Sequence, residues 1–196
     1  MVNKVTMPSV EYRARVMLLR ENTNTINIEV ALNKAAKILG MFGIPHYVCG
    51  GFCCQEYGYA RYTDDVDIIV PDVKLARDKL SMNGFRENPG SNMTVTDRET
   101  RVEIDVLPGG KRIAKELLVL PMPTIVSNTP VYLTLPELIN VKLSSYLGSK
   151  FDRARDRADV IELVKINKTP RSYPLKSEVI HEYQVIWDGL RDEGII

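Results

Sequence analysis

Apolar residues recur along most of this chain with one of two periods, and the period assigns the elements. From Ile26 to Phe42 they return every three or four positions (Ile26, Val30, Lys34/Ala35, Ile38/Leu39), which predicts a helix that Gly43 and Pro45 stop. A similar stretch, Ser9–Arg20, predicts another helix before it. His46–Cys49 then reads as a short strand and Phe52–Tyr59 as a short helix. Acid and apolar residues alternate from Asp65 to Ile68 within Asp65–Val70, a strand ended by Pro71, with Asp72 as the cap of a helix to about Asn83. Asn92–Thr96 and Arg101–Leu107 are extended runs separated by Asp97-Arg98-Glu99-Thr100, a spacing that predicts a hairpin.

After Pro108-Gly109-Gly110 the periodicity lapses. Residues 111–133 contain Pro121, Pro123 and Pro130 and read as loop with short strands. Thr134-Leu135-Pro136-Glu137 is a capping box with proline in the first turn, opening a helix to about Leu147. Further helices are expected over Asp152–Ile166 and Ser177–Arg191, the latter with Val179, Ile180, Tyr183 and Trp187 along one side. The predicted fold class is α+β: a small mixed β-sheet flanked by helices, followed by a helical C-terminal half. The expected division is an N-terminal helical extension (1–25), an α/β core (26–133) and a C-terminal helical region packed on it (134–196).

Composition narrows the class of function. Across 196 residues, 26 Lys plus Arg oppose 25 Asp plus Glu, a formal net charge of +1. That balance argues against a general nucleic-acid coat, which needs a marked basic excess, but not against one focused basic pocket. No run approaches the roughly 20 apolar residues of a membrane span and the start lacks a signal-peptide core, so a cytoplasmic protein without membrane contact is expected. His46, Cys49 and Cys53 form an H-x-x-C-x-x-x-C run. A structural zinc site wants four ligands in separated pairs, however, and the other histidine is the distant His181. The three thiols, with Cys54, read instead as small buried apolar groups.

The chemistry concentrates in Gly50-Gly51 and, thirteen residues later, Asp65-Val66-Asp67-Ile68. On a strand Asp65 and Asp67 share a face while Val66 and Ile68 turn to the core. Two carboxylates held together raise each other's pKa unless a cation sits between them, and oxygen-only ligands favour Mg2+ or Mn2+. A neighbouring strand offers Glu103 and Asp105 on one face. Paired glycines supply backbone N–H groups with no side chain in the way of a phosphate. Together these describe metal-assisted phosphoryl or nucleotidyl transfer.

Gly50-Gly51, Arg61-Tyr62-Thr63-Asp64-Asp65-Val66-Asp67 and Glu103-Ile104-Asp105 resemble the nucleotidyltransferase superfamily of the polymerase-beta type. The arginine–threonine–acid order, with Lys142-Leu143 and Arg155-Asp156-x-x-Asp159, is similar to its branch of abortive-infection-type toxin nucleotidyltransferases. Aminoglycoside and lincosamide nucleotidyltransferases share a similar glycine–arginine–threonine–acid segment. The resemblance spans roughly residues 28–165. It implies that Asp65, Asp67 and Asp105 bind the metal and carry catalysis, with Asp105 helping to deprotonate the acceptor. Gly50 and Gly51 would hold the β and γ phosphates, and Arg61 and Thr63 would line the same pocket. Lys142 is open to two readings: a point charge on the triphosphate, or an interhelical pair with Asp156. Lys150, Arg153, Arg155 and Arg157 read as a solvated helix face more than an RNA or acceptor surface.

The expected activity is transfer of a nucleoside monophosphate from ATP or another nucleoside triphosphate to an acceptor hydroxyl, releasing pyrophosphate. The acceptor is left open among protein, tRNA and small molecule. Two rivals remain: a non-catalytic nucleotide-binding or partner-binding module of the same fold, and a toxin-like enzyme modifying tRNA or protein.

Overall fold

A computed structural model describes residues 23–196, so the helix expected over Ser9–Arg20 lies outside the described residues. Helix α1 (Thr23–Met41) ends where the sequence says it must. Gly43, at φ +66°, lets its own N–H reach the Gly40 carbonyl and that of Ile44 reach Leu39, closing the last turn. The buried face of α1 matches the expected one in its second half, where Ala35, Ile38 and Leu39 are buried, and differs in its first. Ile28, Leu32, Ala35 and Leu39 are buried, whereas Ile26 and Val30 are each 47% exposed. The sequence carries two overlapping apolar stripes, and the winner is the one that continues through Ala31 and Ala36 without meeting Lys34.

The other elements are β1 (Tyr47–Cys49), α2 (Gly50–Glu56), β2 (Asp65–Val70), α3 (Val73–Met82), β3 (Phe85–Glu87), β4 (Thr94–Asp97), β5 (Glu103–Pro108), α4 (Leu135–Gly148), α5 (Ala154–Asn167) and α6 (Ser177–Asp192). The strands form one mixed sheet in the order β1-β2-β5-β4-β3; β2 and β5 pair in parallel and the remaining neighbours antiparallel. This is the α+β arrangement expected. The edge beside β1 is covered by residues 131–133, where Val48 donates to the Val131 carbonyl and accepts from the Leu133 N–H.

Alternation along β2 and β5 sends side chains into two different cores. Val66, Ile68, Val70, Ile104 and Val106 pack beneath α1 and α3. Ile69 joins the buried thiols and helices α4–α6 on the opposite face. That second face is apolar at one end of β2 and acidic at the other, so the C-terminal helices close over Ile69 and leave a cleft over Asp65 and Asp67.

Local chemistry fixes the connections. Asp72 caps α3 by accepting from the Leu75 N–H at 3.0 Å, and Glu137 accepts from both the N–H and the hydroxyl of Thr134 at the start of α4. In the β4–β5 hairpin, buried Asp97 accepts from the N–H and hydroxyl of Thr100 and from Lys34 Nζ of α1 at 2.7 Å. Burial pushes the Asp97 carboxyl up, but these hydrogen bonds outweigh it and hold it below its ordinary value. Strand β3 was not expected from the sequence: of its three residues only Phe85 is buried, too few to show alternation.

Candidate active site

In the parallel ladder Asp65 stands beside Glu103 and Asp67 beside Asp105. Neighbouring strands run about 4.8 Å apart, so Asp67 and Asp105 are held as lateral neighbours. The backbone alone therefore assembles Asp65, Asp67 and Asp105 on the floor of a cleft of about 320 Å³. Gly50, Gly51, Arg61 and Lys142 line the same cleft. Glu103, at the exposed end of the ladder, accepts from Asn88 Nδ2 instead.

Two threonines hold the acids in place. The Thr63 hydroxyl donates to Asp65 Oδ1 at 2.7 Å, and the Thr94 hydroxyl to Asp105 Oδ1 at 2.6 Å. Thr63 thus stands behind the first acid. Thr94 was not anticipated, because its relation to Asp105 depends on the β4–β5 register, which the sequence leaves open. Burial pushes the Asp67 carboxyl up to about 7, and the charges of Asp65 and Asp105 add to the effect.

The glycines are needed for closeness. Gly50 has φ +68°, and a Cβ there would fall on the Asp67 carboxylate; one on Gly51 would fall on the Arg61 guanidinium and the Thr63 hydroxyl. Both open α2, whose cap residue Cys49 makes no side-chain hydrogen bond, so its first amides are left without a capping side chain. Cys49, Cys53 and Cys54 are buried and unbridged, and burial raises all three thiols, in keeping with an inert apolar role.

Lys142 forms the interhelical pair and more. Its Nζ lies 3.1 Å from Asp156 and 2.6 Å from Asp159, and the other oxygen of Asp159 lies 3.0 Å from Arg61 Nε. Only 3% exposed, Lys142 keeps its charge: burial disfavours the ammonium, but the carboxylates of Asp156 and Asp159 outweigh that. Asp159 is the shared partner of Arg61 and Lys142, a role the Arg155-Asp156-x-x-Asp159 spacing contained but did not disclose. The basic run divides: Arg153 lines the cleft, Arg155 donates to the Tyr62 carbonyl and Arg157 pairs with Glu182.

One further acid comes from the loop after β5. Glu116 lines the cleft and its Oε2 is buried without a hydrogen-bond partner. Burial pushes its carboxyl up to about 7, opposed by Arg153 and reinforced by Asp156 and Asp67. The loop is anchored by the Leu118 N–H on the Ser144 hydroxyl and by Leu118 and Leu120 in the second core. No periodicity marked it.

Hard oxygen donors crowded enough to raise a carboxyl fit Mg2+ or Mn2+ in kind. Among the described residues no three carboxylate, thiol or imidazole groups already converge as a ligand set. Among the described residues no helix is long and apolar enough to cross a membrane.

No family model matches the chain, and no curated relative does. Solved structures do. A nucleotidyltransferase-like antigenic protein from Paracoccidioides brasiliensis aligns with 87% of this chain and 91% of its own, at 14% identity and a TM-score of 0.58. The antibiotic-resistance factor ANT(2'')-Ia in solution aligns over 87% and 95% at 11% identity and TM-score 0.46. The same factor in complex with adenylyl-2''-tobramycin aligns over 92% and 98% at 14% identity and TM-score 0.44. At these identities the likeness is one of fold, and the fold of this chain is nucleotidyltransferase-like.

Proposed function

We propose that the protein is a nucleotidyltransferase that moves a nucleoside monophosphate from ATP or another nucleoside triphosphate to an acceptor hydroxyl, releasing pyrophosphate. The observation that carries this reading is the meeting of Asp65, Asp67 and Asp105 with Gly50 and Gly51 in one cleft. Asp65, Asp67 and Asp105 would hold a divalent cation, Mg2+ or Mn2+, which when bound would neutralise phosphate charge as a Lewis acid. The amides at Gly50 and Gly51 bind the β and γ phosphates where no Cβ intrudes. Arg61 and Lys142 supply positive charge from the cleft wall, fixed in place by Asp159. Asp105, oriented by Thr94, helps take the proton of the attacking hydroxyl. The side chains mainly position and neutralise, as transfer at phosphorus requires.

The test is transfer of label from α-labelled nucleoside triphosphates in the presence of magnesium. Asp65→Asn and Asp67→Asn should each reduce labelling more than about 100-fold, beyond what loss of a supporting residue around a metal costs. Unchanged labelling in either variant would sink the reading. Calorimetric binding of Mg2+ and a triphosphate without any pyrophosphate release would favour the non-catalytic module.

A further inference from the structure

The cleft continues past Glu116. A second depression of about 300 Å³ adjoins it, and Ile113, Glu116, Ser145 and Arg153 belong to the walls of both. The junction is built rather than incidental. Gly148 lets the 111–120 loop sit against the end of α4, since a Cβ there would strike the Lys115 carbonyl, and the Glu116 N–H donates to the Ile113 carbonyl at 3.0 Å. At this junction Glu116 Oε2 is withdrawn from water and has no donor. Such an oxygen costs free energy until a ligand brings an N–H or O–H to it.

The nucleotide cannot be that ligand through its phosphates, because a carboxylate repels them and Glu116 lies outside the Asp65–Asp67–Asp105 floor where a cation would intervene. The nucleotide's sugar and base and the acceptor remain, and the adjoining second depression favours the acceptor. We propose that Glu116 binds the acceptor through one of its hydrogen-bond donors, and that the second depression admits a small hydroxyl-bearing molecule to the cleft. This rests on the nucleotidyl-transfer reading. Size and charge set the class. The depression is at the low end of small-molecule sites, and its charges are balanced, with Lys115 and Arg153 against Glu116 and Asp152. A polymer with a phosphate backbone would call for an excess of cations there.

The experiment uses the full chain, α-labelled ATP with magnesium, and two acceptor pools from a cell lysate: the dialysable fraction and the retained macromolecules. The wild-type protein should label compounds in the dialysable pool. Glu116→Gln should need about ten- to hundred-fold more of that pool for half-maximal labelling, the range expected for one hydrogen bond to a charged group, with KM for ATP unchanged. Glu116→Asp should recover part of the loss, which a merely structural role would not produce. Label confined to retained protein or RNA, or Glu116→Gln behaving as wild type, overturns the proposal. Failure of the underlying reading is distinct: the wild type then labels neither pool, or Asp67→Asn labels as well as wild type, and the acceptor site falls with it.

Discussion

Asp67 pays for its position in stability. Its carboxyl is lifted from the ordinary 3.8 to about 7 by burial and by two neighbouring acids, so the folded protein takes up a proton there more readily than the unfolded chain. Folding stability of the metal-free protein should therefore decline as pH rises from about 4 to about 7 on this account. Asp67→Asn should raise Tm at pH 8 in the presence of a chelator by several degrees, since each kcal/mol moves Tm by about 2–4 °C in a domain of this size, while transfer is lost. Scanning calorimetry against a parallel labelling assay checks both halves; a variant that melts lower would contradict the repulsion argument. Gly51→Ala places a methyl group on the Arg61 guanidinium and should weaken triphosphate binding measured by calorimetry. Asp65 and Asp67 were legible in the sequence because an acid–apolar–acid strand states its own faces. Glu116 and Thr94 were not, since one sits in an aperiodic loop and the other gains its role from register.

The hairpin illustrates how elements hold one another. Asp97 is buried, ties the turn at Thr100 and reaches Lys34 of α1, so one carboxylate joins the sheet to the helix that covers it. Asp97→Asn should cost about 1–3 kcal/mol in urea unfolding, the usual penalty of weakening a buried charged hydrogen-bond set. Because this carboxyl is depressed, its contribution is present above the ordinary carboxylate range and fades as pH falls through the folded value; the variant should accordingly lose the acid-side dependence. Element boundaries marked by local chemistry were readable: Gly43, Asp72 and Thr134–Glu137 all act where the chain implied. The first half of the α1 face was not readable because Ile26 and Val30 form a plausible stripe of their own, and only the sheet beneath decides between two stripes.

At the scale of the molecule, the cleft is a joint between the sheet and the C-terminal helices, and Asp159 is its pin. It is 1% exposed and meets Arg61 on one side and Lys142 on the other. Asp159→Ala leaves two cations without their shared partner and should cost about 3–5 kcal/mol, read from urea midpoints. Pairing it with Lys142→Met should restore part of that stability without restoring transfer. The two-sided sheet was implied by the alternation; the joint was not, because its Arg61–Asp159 half links residues about a hundred positions apart.

Strand β2 leaves no residue uncommitted. Val66, Ile68 and Val70 fill one core, Ile69 the other, and Asp65 and Asp67 the cleft. A slip of one position against β5 would drive both acids into hydrocarbon and lay valine and isoleucine across the site. The site and the fold thus share one reading frame here: the strand cannot drift in register and keep either.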